Sequence, residues 1–229
     1  MRFLRNILAF IAMPAVFAAG YALAESFLFF SISSGGKRIP FWIGAFSYIT
    51  FQAILYKPMK TYIFGHELSH AIAGLLSCAK IKKFNVGEIS GSVVLTKDNI
   101  WITLAPYFFP IYTIAIMIIY VCLGWFMDIK QIYGYYLFLI GFSISFHIAL
   151  TVYILSIQQP DLKIYGAFFS YVIILAGNVI VFTLLAPLAF EDAISVKNVF
   201  FRAYHNIISI YKFIYNGVTE IWLAFQKTK

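Results

Sequence analysis

Long apolar runs decide what this chain can fold into. They recur at about 6–30, 101–126, 132–157 and 164–188, with a short one at 41–56 and another at 61–78. A helix needs about 20 mostly apolar residues to cross a hydrocarbon core. Of 229 residues, 62% are hydrophobic and 11% charged, against about 45–50% and about 25% in soluble domains. A soluble globular domain is excluded. The pattern predicts an all-α polytopic membrane protein with about six transmembrane helices, a small β insert and a C-terminal amphipathic helix.

The breaks organise the chain. "SSGGKRIP" and "YKPMK" separate the first three runs, and "MDIKQ" and "QQPDL" bracket the fifth. The one sizeable polar insert, about 80–99, carries β-prone "GSVVLT" between glycines and predicts a small hairpin or strand. From about 193, Val199, Ala203, Ile207, Ile210, Ile214 and Val218 recur at three- and four-residue steps. That spacing predicts an amphipathic helix lying on the membrane or covering the bundle. The chain thus divides into N-terminal spans (1–56), a central core (57–190) and the terminal helix (191–229). The N-terminus has the basic start and "ALA" of a secretory signal, but the apolar run resumes through Phe27–Phe30, as in an uncleaved anchor.

The net charge of +8 comes from short clusters between apolar runs, with no aromatic-basic reading surface. No nucleic-acid partner is expected; the basic residues suit loops beside a lipid bilayer. Cys78 and Cys122 lack metal-ligand spacing and read as free thiols.

Against this background "HELSH", residues 66–70, stands out. Ionisable groups are costly at membrane depth and mark function there. On a helix His66 and His70 share a face, so both imidazoles can meet one metal ion. Glu67 is turned about 100° away, placed to act as general base on a metal-bound water. Two zinc ligands and a base at this spacing form the HExxH pattern.

A catalytic zinc usually takes three protein ligands, and nine carboxylates are available. Glu25 sits at the first span and Asp128 in a short loop at the opposite ends of the fourth and fifth spans, while Glu191, Asp192 and Glu220 belong to the terminal helix. Glu88 and Asp98 read as solvated charges of the insert. Asp161 follows Pro160 where the fifth span ends, on the side to which the third span runs, so it is the favoured third ligand. The competing role is capping of the next helix. His147 is the rival ligand, about 14 residues and ~20 Å of helix earlier, and reads as an interhelical hydrogen-bonding residue. His205 falls on the polar face of the terminal helix.

With "HELSH" in a span, a glycine-containing β insert, "LAPYFFP" and "QQPDLKIYG", residues 57–166 resemble the site-2 protease family of intramembrane zinc metallopeptidases. The chain departs from that family at Leu162, where Gly is common, and at Ala105-Pro106 in place of Gly-Pro. The resemblance implies zinc held by His66, His70 and an Asp, with Glu67 as the catalytic residue. It also implies a membrane-protein substrate cleaved in or near a transmembrane segment, and a metalloprotease core in 57–190. The expected place is the cell (inner) membrane as a multi-pass protein. Basic residues divide between both sides, so charge gives no orientation, and the resemblance favours a cytoplasmic insert. The alternative class is a non-catalytic metal-binding scaffold or a zinc transporter.

Overall fold

The computed structural model describes residues 2–33, 36–54, 57–88, 90–157, 159–190 and 194–227; Gln158, Glu191 and Asp192 lie outside them. In chain order come α1 (Arg2–Ser33), α2 (Ile39–Ile54), α3 (Met59–Leu76), β1 (Ile81–Val86), β2 (Gly91–Leu95) and α4 (Ile100–Leu104). A 3-10 turn (Ala105–Tyr107) leads to α5 (Ile111–Leu123). Then follow α6 (Tyr133–Ser156), α7 (Pro160–Tyr165), α8 (Ala167–Ala189) and α9 (Val196–Lys227).

Fewer helices than expected meet the requirements of a span. Three are long and apolar enough: Arg2–Phe29, Ile129–Ser156 and Ala167–Ala189. A fourth arises if Ile100–Tyr107 and Ile111–Leu123, bent by 79° at their junction, count as one. Six is therefore corrected to three or four, for three physical reasons. At 16 residues, α2 reaches only ~24 Å at 1.5 Å per residue, short of the ~30 Å core. The ionisable groups of α3 lower its hydropathy. The expected straight run at 101–126 is broken at Phe108–Pro110, because Pro110 has no N–H and disfavours helix before it.

The described residues cluster into two compact units, Ser34–Ser170 and Met1–Ser33 with Tyr171–Lys229. In the terminal unit α9 is amphipathic and runs antiparallel along α1. Arg202 pairs with Glu25 at 3.5 Å, and the Tyr211 hydroxyl donates to the Ile11 carbonyl. Val199 and Ala203 of α9 are buried, while Phe213 is exposed.

In the central unit α2 and α6 approach backbone to backbone. A Cβ on Gly44 would stand 2.0 Å from the Phe138 carbonyl oxygen, and one on Gly141 2.0 Å from that of Phe41. Small residues allow such close crossings where apolar burial alone does not bind helices together. Around this seam Tyr48, Leu137, Ile140 and Leu150 are almost fully buried. The hydroxyls of Thr113 and Ser143, 3.0 Å apart, tie α5 to α6.

The expected hairpin is present. β1 and β2 pair antiparallel, with Phe84 opposite Val93 and Val86 opposite Gly91, and an irregularity between Ile81 and Lys83. The hairpin packs on α3.

The seam generates a prediction. Gly141→Val should destabilise the protein by about 3 kcal/mol or more, since backbone cannot yield as a side chain does. Gly134→Ala, whose Cβ meets nothing closer than 3.9 Å, should be close to neutral. Unfolding titrations in mixed detergent compare the two.

Candidate metal centre

The centre is built on α3, which Pro58 precedes and which ends in a tight reversal. Ala79 N–H bonds the Gly74 carbonyl at 2.8 Å and Cys78 N–H that of Leu75 at 3.0 Å. This is the paired bonding of a Schellman motif, with Cys78 at φ 57° where glycine is usual. The chain is thereby turned into the hairpin over the helix it has just left.

His66 and His70 lie one turn apart on α3, their rings 4.8 Å between centroids. α7 brings the third group. Gln159 is extended, as a residue before proline prefers to be, and Pro160 opens the helix at a position where its missing N–H costs nothing. Asp161 follows in the first turn. Its Oδ2 lies 3.6 Å from His66 Nε2 and 3.7 Å from His70 Nε2. The N-cap of α7 is Gln159, and Asp161 faces the histidines. Among the described residues these three form the one group whose ligand atoms, all within 4.8 Å of one another, could hold a metal ion. A metal ion bound here would draw them inward by small side-chain movements.

Partners outside the cluster orient two of the candidate ligands. His70 Nδ1 stands 2.7 Å from the Ile102 carbonyl oxygen. That acceptor places the ring proton on Nδ1 and leaves the Nε2 lone pair for a metal. Ile102 O is available because the residue four further on, whose N–H would bond it in an α-helix, is Pro106. Asn99 caps the start of the same helix, its Oδ1 accepting from Ile102 N–H at 2.9 Å. From the turn that follows, Tyr107 donates its hydroxyl proton to Asp161 Oδ2 at 2.9 Å. The Tyr107 ring is fully buried and stands edge-on to His66. Burial by itself would raise the pKa of the Asp161 carboxyl. The neighbouring His66, His70 and Tyr107 groups outweigh it and hold the carboxyl well below the usual carboxylate range. Asp161 is thus an anion at neutral pH.

Glu67 is 8% exposed and lines the same cleft of about 400 Å³ as the three ligands. β2 lies directly over it: a Cβ on Gly91 would stand 2.6 Å from Glu67 Cγ and 2.8 Å from Ile63 Cγ2. Only glycine permits that approach. Further along, Leu95 rests on Gly74. One edge of β2 pairs with β1, and Gly91, Ser92 and Val93 line the cleft.

The remaining candidates lie elsewhere or are otherwise employed. Glu88 is exposed and faces Lys60 at 3.6 Å. Asp98 borders the cleft but accepts from Thr103 Oγ1 at 2.8 Å. His147 is buried behind the cluster, outside it, and His205 stands edge-on to Phe201 and Tyr204 on α9. Sequence reasoning missed Tyr107 and the Ile102 carbonyl. Tyr107 is one aromatic among many, whereas Pro106 was a legible sign that a carbonyl upstream would want another donor. Compared with family models, curated proteins and solved structures, the chain matches none.

The Tyr107 contact is testable. Tyr107→Phe keeps the ring and removes the proton given to Asp161, and should weaken metal binding by about tenfold, the lower end for such outer partners. His70→Ala should lose the metal altogether. Competition with a chromogenic chelator measures both.

Proposed function

We propose that this protein is an intramembrane zinc metalloprotease of the site-2 protease type. Its substrates would be membrane proteins cleaved in or near a transmembrane segment, at the cell (inner) membrane. The observation that carries the reading is the shared cleft: two imidazoles and a carboxylate converge at one point, with Glu67 beside them and a strand edge along the wall. On this reading α3 lies at membrane depth with its ionisable face turned into protein and cleft, as such residues require.

His66 Nε2, His70 Nε2 and Asp161 Oδ2 would hold zinc, which supplies a Lewis acid that acidifies water towards a pKa of about 7 and polarises the scissile carbonyl. Glu67 accepts the proton of the attacking water and passes it to the departing amine as the C–N bond breaks. Its burial under Gly91 keeps bulk water away from that proton. A helical substrate hides its carbonyls in its own hydrogen bonds and must unwind first. The edge of β2 along the cleft would then pair with the unwound segment by β-augmentation. A zinc transporter would need successive ligand sets along several helices. Among the described residues there is one.

Glu67→Gln is isosteric and cannot take the proton. It should retain stoichiometric zinc and lose cleavage by roughly 10²–10⁴-fold, the span of general-base contributions. Cleavage at the wild-type rate would remove Glu67 from the mechanism. Val93→Pro deletes a donor from β2, so turnover should fall with zinc content unchanged. Zinc loss in that variant would instead make the hairpin part of the metal centre. A reconstituted assay on a single-span substrate, paired with metal analysis, measures both.

A further inference from the structure

The outer contacts of the three ligands are unequal. His70 has the Ile102 carbonyl and Asp161 has the Tyr107 hydroxyl, while His66 Nδ1 is buried without a hydrogen-bond partner. A metal-bound imidazole almost always donates its second N–H to a carboxylate, a carbonyl or a water. Behind His66 lies a cavity of about 20 Å³ between α3, α5 and α6, with Tyr62, Ser69, Ser143 and His147 on its wall. One water needs about 10–15 Å³ measured this way and two to four polar neighbours. The hydroxyls of Tyr62 and Thr151 face each other, and Tyr62 lines the cavity. Tyr62 is one turn before His66 on α3, and Thr151 one turn after His147 on α6. The buried Nδ1 of His66 thus meets a small cavity with polar groups on its wall, and leaving it without a partner in an apolar interior is costly.

We propose that this cavity binds one ordered water that accepts the Nδ1–H of His66, with His147 acting on the metal ligand as a positioning residue through that water. Accepting this proton fixes the tautomer of His66 and leaves its Nε2 lone pair for the metal. The water gives its own protons to the oxygen and nitrogen acceptors of the wall. α6 thereby takes part in the metal centre without contributing a ligand. The effect on metal affinity rests on the metal-centre reading; the water does not.

The test uses full-length protein in detergent with ¹⁵N-labelled histidine, and zinc alone as the probe. In zinc-loaded protein His66 Nδ1 should appear protonated, and in metal-free protein the ring should show a cross-peak to a long-lived water. His147→Phe keeps the bulk and removes the ring nitrogens. It should weaken zinc binding by about tenfold and abolish the cross-peak, while His147→Gln, which keeps a polar wall, should recover most of the affinity. Absence of the water contact in unmutated metal-free protein would overturn the proposal, whether or not His147→Phe folds. So would wild-type zinc affinity in a folded His147→Phe. If unmutated protein binds no zinc, the metal-centre reading fails, and the metal-free spectrum still decides whether the water is there.

Discussion

His66, Glu67 and His70 occupy consecutive turns of a helix in a chain with little water to offer them, and the central unit is arranged around satisfying them. A lone imidazole or carboxylate in such a place would cost several kcal/mol. Here the imidazoles are answered by protein: Asp161 faces both, the Ile102 carbonyl takes the ring proton of His70, and Tyr107 holds Asp161 in turn. These answers reach α3 from two separate stretches, the segment 100–107 and α7. Their convergence requires the bend at Phe108–Pro110 and the return of the chain after α6. The apolar core, including the bare crossing of α2 on α6, is the frame that keeps that convergence in register.

Residue chemistry was the most legible part of the sequence. The four-residue spacing of His66 and His70 places them on one face under any helical geometry, and only the helix had to be right. Asp161 was reachable by elimination, since Pro160 marked the break and topology returned it to the correct side. The hairpin could be seen because β-branched residues between glycines contrast sharply with the surrounding leucine- and phenylalanine-rich runs.

Span counting was less legible, because hydropathy records composition and not path. α2 is apolar yet short, α3 is long enough but polar on its working face, and the run at 101–126 turns by 79° where two prolines stand four apart. Contacts set by tertiary structure alone were hidden too. Nothing in the periodicity of α9 says that it pairs with α1, and nothing about Tyr107 distinguishes it from the other tyrosines.

Pro106 has a consequence that reaches past its own turn. By withholding a backbone proton from Ile102 it leaves a carbonyl in the middle of a helix with spare capacity, and His70 draws on it. Five residues on, the same rigid piece of chain supplies Tyr107 to Asp161. Two candidate ligands on different helices, His70 and Asp161, are therefore registered against a single short strut. Their positions are mechanically correlated: a displacement of the strut moves the Ile102 acceptor and the Tyr107 donor together, and the spacing of the two side chains responds as one variable instead of two.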